Sequence, residues 1–245
     1  MLLQLLSLAI LSFIALSSVI FFVCACLIFM LTVGFDKRLR LLHYFTCAWA
    51  SLYLVIVPHW QVRRRGLQLV DKQQSYVIVS NHQSGLDILL SFALFIPFKW
   101  VSKIEVFKVP LIGWNMWLNR YVALKRGDKN SIKKMLRQAE QHLKNGSSIY
   151  LFPEGSRSAD GKLKPFKLGA FALAKQAHVP ILPIAIHGTA QALPKKSLKL
   201  TGHHPICIEV LPPIDSQQVA SMSEAELASH TQQIIAQALS QKPPA

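Results

Sequence analysis

Tyr76-Val77-Ile78-Val79-Ser80-Asn81-His82-Gln83-Ser84-Gly85-Leu86-Asp87-Ile88 holds a strand, a polar turn and the start of a helix in one short stretch. Residues 76–80 are an apolar, β-branched run of the kind found in a strand buried on both faces. Residues 81–85 are turn formers, and Ile88 to Phe95 reads as an apolar helix stopped by Pro97. The same alternation continues outward. Strands are predicted at 99–102, 121–124, 149–152, 181–186 and 206–211, and helices at 111–118, 131–144 and 168–178. Strands alternating with helices indicate the α/β class, with a mainly parallel sheet flanked by helices. The predicted body is a single domain over residues 59–245.

The helix at 131–144 shows the pattern best. Ile132, Met135, Leu136, Ala139 and Leu143 fall on one face of a 3.6-residue period. Asn145-Gly146 closes it with residues that tolerate left-handed backbone. Ser223-x-x-Glu226 is a capping box opening a last helix.

Upstream lies a different kind of sequence. Residues 1–35 contain no charged side chain, so every Lys, Arg, Asp and Glu lies in residues 36–245. About 20 apolar residues span a bilayer core, and this run exceeds that. It lacks the basic n-region and short apolar core of a cleaved signal peptide, so it reads as a retained anchor. Asp36-Lys37-Arg38-Leu39-Arg40 marks its end, and the positive bias assigns that end to the cytoplasm. A second uncharged stretch, 41–58, reads as an interfacial or half-buried helix returning to the same side, the alternative being a core helix of the body. Residues 1–58 are thus expected to form a hydrophobic two-helix membrane anchor. The four cysteines show no metal or disulfide spacing.

Composition narrows the function classes. Half the residues are apolar, 51%, which excludes a disordered chain. The formal charge of +15 suits an anionic membrane or a phosphate-bearing ligand. It would also suit nucleic acid, but aromatic residues are not interleaved with the basic ones as such binding requires. No glycine-x-serine-x-glycine elbow is present, which removes a serine lipase.

Three polar constellations fall at predicted carboxyl ends of strands, where α/β sheets hold ligands. His82 and Asp87 follow the strand at 76–80. On a continuous helix five residues turn about 500°, leaving the two side chains about 140° apart. They meet only if His82 lies in the turn and Asp87 in the first helical turn, and Gly85 permits that bend. A carboxylate on one imidazole nitrogen frees the other to take a proton. The pair reads equally as a capping loop. Phe152-Pro153-Glu154-Gly155-Ser156-Arg157 follows the strand at 149–152. There Gly155 permits close backbone approach, Arg157 offers a fork for phosphate, and Glu154 accepts from a hydroxyl or pairs with Arg157. Lys125-Arg126 closes the strand at 121–124, and Lys103 follows the one at 99–102. Each is an anion site or a solvated charge. Val179 to Ile186 is expected to pack, and to line an acyl pocket.

Together these residues resemble a known family. Asn81-His82-Gln83-Ser84-Gly85-Leu86-Asp87 matches the histidine-x4-aspartate motif of the glycerolipid acyltransferases. Phe152-Pro153-Glu154-Gly155-Ser156-Arg157-Ser158 matches their phenylalanine-proline-glutamate-glycine motif. The order and the separation of the two are similar to those of the bacterial 1-acylglycerol-3-phosphate acyltransferases. At the family's second motif Arg126 is retained, but the glycine is not evident and the phenylalanine is replaced. The resemblance implies acyl transfer from acyl-CoA or acyl carrier protein to the sn-2 hydroxyl of 1-acylglycerol-3-phosphate (lysophosphatidic acid), giving phosphatidic acid. His82 and Asp87 would be catalytic. Lys103, Arg126, Glu154, Gly155, Ser156 and Arg157 would bind substrate, with no metal and no cofactor beyond the acyl donor. The implied partners are an anionic phospholipid membrane, the lysophospholipid and the acyl donor, at the inner membrane with the body facing the cytoplasm. A different lysolipid acceptor, such as a lyso-ornithine lipid, is the alternative within the family.

Overall fold

The structure, a computed structural model, describes residues 2–57, 60–158, 162–194 and 203–241. The expected domain boundary at 58/59 lies outside the described residues. Among the described residues seven strands form one sheet: β1 (Trp60–Arg65), β2 (Val77–Ser80), β3 (Phe98–Lys103), β4 (Val122–Leu124), β5 (Ser148–Leu151), β6 (Ile181–His187) and β7 (His204–Val210). Their order is β1-β7-β6-β2-β5-β3-β4. The five strands from β6 to β4 run parallel, as expected. β7 pairs antiparallel with β6, and β1 parallel with β7, so this edge pair is reversed. β1 was not anticipated, because Arg63-Arg64-Arg65 hides the strand pattern. Charges of this kind are tolerated on an edge strand.

Nine helices are described: α1 (Leu2–Thr32), α2 (Arg40–Val55), α3 (Leu86–Phe92), α4 (Ile112–Leu118), α5 (Lys129–Lys144), α6 (Gly169–Ala177), α7 (Thr189–Ala192), α8 (Ser216–Ser221) and α9 (Glu224–Ser240). Because successive strand residues face opposite sides, β2 feeds two cores. Ile78 joins Tyr150, Leu182, Leu86, Leu90 and residues of α2 on one face. Val77 and Val79 join Ile149, Ile181 and residues of α5, α6 and α9 on the other. Asp128 caps α5 by accepting from Ser131 N at 3.0 Å, and the Ser223–Glu226 capping box opens α9.

The second apolar stretch departs from the interfacial reading. α2 is part of the body: Cys47, Ala50 and Leu54 are in the core with the sheet, and the buried His43 reaches Ile96 O at 2.9 Å and Tyr121 Oη at 3.0 Å. An imidazole satisfied on both nitrogens by body residues ties this helix to the domain. α1 runs along it. Ile10 packs against Val57 and Ala25 against Leu39 and Leu42, while Tyr53 Oη lies 2.9 Å from both Ser17 and Ser18 hydroxyls. α1 is long and apolar enough to cross a membrane, with only 17% of its most apolar window buried.

Candidate active site

Five parallel strands deliver their carboxyl ends to one region. There β3 ends in Lys103, while β2 runs on to His82, β4 to Arg126, β5 to Phe152–Arg157, and β6 to Thr189. Asn81 ties two of these ends together. Its Nδ2 donates to Ile186 O and its Oδ1 accepts from Ile186 N, both at 2.8 Å. A buried amide that makes both bonds fixes the start of the loop.

The helical start at Leu86 puts Asp87 in the first turn of α3, where an acid is favoured by the helix dipole. Asp87 is fully buried, and its Oδ2 accepts from Gln83 N at 2.7 Å and Ser84 N at 2.8 Å. The same oxygen lies 2.8 Å from His82 Nδ1, so the ring donates there and Nε2 is left as the acceptor nitrogen. The second oxygen accepts from Thr189 Oγ1 at 2.5 Å. Four donors therefore hold the carboxylate. His82 also stacks on Phe152, with ring centroids 3.9 Å apart and planes within 9°. The residues expected to meet do meet, through a turn rather than along a helix.

Glu154 supports the same histidine from behind. Its Oε1 accepts from His82 N at 2.7 Å and its Oε2 from Lys164 N at 3.2 Å. Burial pushes its pKa up, against the hydrogen bonds from those two amides. Its carboxylate faces loop backbone, not the cavity, and it makes no ion pair with Arg157 among the described residues. Sequence reading assigned Glu154 to substrate because a carboxylate beside a glycine gives no sign of which way it turns. Ser158 N donates to His82 O at 2.8 Å, so the β2 and β5 loops are bound to each other directly.

In front of His82 lies a cavity of about 820 Å³. His82, Lys103, Arg126, Gly155, Ser156 and Arg157 all line it. Its deeper wall is apolar, built by Ile88, Leu89, Phe92, Trp100 and Met116. Val179 to Ile186 packs as expected but forms β6 in the core and does not reach this wall. Arg157 lies over Gly85, where a Cβ would come 3.8 Å from its Nη1. Gly155 has φ +71°, a conformation that favours glycine, and the end of the Lys167 side chain lies over it, 2.8 Å from where a Cβ would sit. Lys103 is half exposed and 3.3 Å from Glu105, whereas Arg126 is exposed at the rim. Thr189, Lys164 and Lys167 were not singled out in the sequence. Thr189 lies 102 positions from its partner and has no local signal. The two lysines belong to a basic run after Gly161 that could have been read as a further anion-binding segment.

The arrangement sets an imidazole with its proton-bearing nitrogen fixed beside a largely apolar recess whose lining also includes Lys103, Arg126, Arg157 and Lys167. Comparison with known proteins bears on the chain as a whole. The family model described as Acyltransferase matches residues 61–187. The chain is 38% identical over 182 residues to the chloroplastic 1-acyl-sn-glycerol-3-phosphate acyltransferase BAT2 of Brassica napus, covering 74% of this chain and 52% of that one. It is 30% identical over 167 residues to the 1-acyl-sn-glycerol-3-phosphate acyltransferase of Escherichia coli, covering 67% of each. The chain thus spans about half the length of the plant relative it matches. The crystal structure of the 1-acyl-sn-glycerophosphate (LPA) acyltransferase PlsC from Thermotoga maritima shares the fold. It has a TM-score of 0.77 at 24% identity, covering 96% of this chain and 95% of that one. With a matched region that runs from β1 to the end of β6 and contains both motif loops, this chain belongs to the acyltransferase family.

Proposed function

We propose that the protein transfers a fatty acyl group from a thioester, on coenzyme A or acyl carrier protein, to the sn-2 hydroxyl of 1-acylglycerol-3-phosphate, releasing phosphatidic acid. The carrying observation is the 2.8 Å His82–Asp87 contact at the edge of a cavity that is apolar within and cationic at its rim. His82 Nε2 takes the hydroxyl proton as that oxygen bonds to the thioester carbonyl carbon. General bases of this kind are worth about 10²–10⁴-fold. The carbon–sulfur bond then breaks, and the thiolate leaves with the proton returned by the imidazolium. A thiol with a pKa near 8.5 departs readily, so no covalent acyl-enzyme is needed. Asp87 fixes the tautomer and stabilises the imidazolium.

Arg157 and Arg126 bind the acceptor phosphate, with Lys103 and Ser156 beside them, and Gly155 opens the approach. Glu154 takes a different part from the one first expected. With both oxygens on backbone amides it positions the His82 loop, and does not hold the glycerol hydroxyl. The exposed apolar flank of α1 attaches the body to a membrane, which we assign as the inner membrane with the body facing the cytoplasm. Each Lys or Arg near an anionic surface adds about 1 kcal/mol of attraction. A matrix of acyl donors against lysolipid acceptors in mixed micelles, with His82→Ala as the blank, tests this reading. Turnover highest on lysophosphatidic acid supports it. Preference for a lyso-ornithine lipid, or undiminished turnover by the blank, overturns it.

A further inference from the structure

The interfacial helix expected at 41–58 is in the core, yet a second aromatic helix is turned outward. In α4, Asn115 and Met116 face the cavity, while Trp114 and Trp117 are 48% and 53% exposed. Val109 and Ile112 are exposed next to them. Indoles left half in the open beside other apolar side chains are unusual on a surface that meets only water. They are not held loosely. A Cβ on Gly113 would lie 2.3 Å from Phe107 O, so the backbone of α4 rests directly on the 106–108 turn. The Trp117 ring packs against Phe107 at 4.7 Å.

This face is continuous with α1. Trp114 meets Phe22 at 5.6 Å, and Leu118 packs against the cluster that includes Ile28, Phe29 and Val33. Both the Ile10 end and the Ala25 end of α1 are held on the body, so its free surface is the outer flank. A bilayer that covers this flank also meets Trp114. The surroundings are charged to match an anionic headgroup layer. Residues 101–126 carry Lys103, Lys108, Arg120, Lys125 and Arg126 against Glu105 alone. Tryptophan with adjacent cations is the composition favoured at the membrane–water boundary.

We propose that α4 is a second membrane-contacting element, its Trp114–Trp117 face lying in the headgroup region of an anionic phospholipid bilayer beside the flank of α1. The proposal rests on the membrane attachment assigned above and is independent of the acyl-transfer reading. The full chain, reconstituted into phosphatidylcholine–phosphatidylglycerol vesicles with or without brominated acyl chains, tests it by tryptophan fluorescence. Wild-type protein is compared with Trp114→Phe, Trp117→Phe and the double variant, which keep apolar bulk; Trp49, Trp60 and Trp100 supply the remaining signal. The quenching caused by brominated lipid falls at least about twofold in the double variant. Equal fractional quenching in wild type and double variant overturns the proposal. Failure of the wild-type protein to sediment with vesicles overturns it together with the membrane attachment, while leaving the reaction untouched. Should the double variant not fold, the two single variants give the same comparison.

Discussion

Asp87 and Glu154 are both buried carboxylates on the same histidine, but they hold different parts of it. Asp87 binds the imidazole, and Glu154 binds the main-chain N–H of His82. One fixes the tautomer and orientation of the ring, and the other fixes the position of the main chain. The cations at the rim, Arg157 and Arg126, contrast with both, since no carboxylate pairs with either among the described residues. An inner layer with its hydrogen bonds filled surrounds His82, and an outer layer holds cations with no carboxylate partner among the described residues. The inner layer should therefore control turnover, and the outer layer binding.

That division is open to tests of decreasing size. Asp87→Asn removes the negative charge and turns one of the two acceptor oxygens into a donor, which weakens the hold on the His82 tautomer and on an imidazolium, so turnover falls about 10²–10⁴-fold with acceptor KM little changed. Comparable losses in KM alone would erase the distinction. Glu154→Gln replaces one acceptor oxygen by an NH2 group facing an amide. It costs about 1–3 kcal/mol of stability in thermal or denaturant unfolding, and turnover falls about tenfold. Arg157→Ala raises acceptor KM about tenfold, equivalent to about 1.4 kcal/mol, with kcat largely kept. Arg126→Ala does the same about threefold, being more exposed and more screened. If the two arginine variants lower kcat and leave KM unchanged, the outer layer is not a binding layer.

The smallest effect concerns pH. Burial raises the pKa of Glu154 above its ordinary 4.5, so the folded state keeps that proton to higher pH than the unfolded chain does. Its contribution is fully present below the ordinary value and is lost as pH rises through the folded one. Midpoints of thermal unfolding measured through that window should fall less with rising pH in Glu154→Gln than in wild type. An identical pH dependence in the two proteins would show that Glu154 is not held against its charge.

Much of the architecture was legible, and the misses share a cause. The run at 76–80 and its polar turn identified β2 and the loop that follows, because a fully buried strand must be apolar throughout. His82 and Asp87 were readable as a pair only on condition of a bend, and the structure supplies it at 81–86. Apolarity, however, reports removal from water without saying into what. α2 was read toward lipid and is in the core, whereas α4 was read as a body helix and turns two indoles outward. β1 was hidden by arginines that an edge strand tolerates. Thr189 was invisible because its bond to Asp87 is made by sheet order, which places β6 beside β2. The inward turn of Glu154 depends on the position of Lys164, and no local pattern encodes that.

The central claim is that His82 removes a proton, and it is tested most directly by changing how much that removal matters. An acceptor carrying a thiol in place of the sn-2 hydroxyl has a pKa near 8.5 and is already partly ionised at neutral pH. Turnover of wild type and His82→Ala is measured on the hydroxyl and thiol acceptors side by side. The account predicts a loss of about 10²–10⁴-fold on the alcohol and a far smaller loss on the thiol. Equal losses on both acceptors, or none on the alcohol, would contradict it.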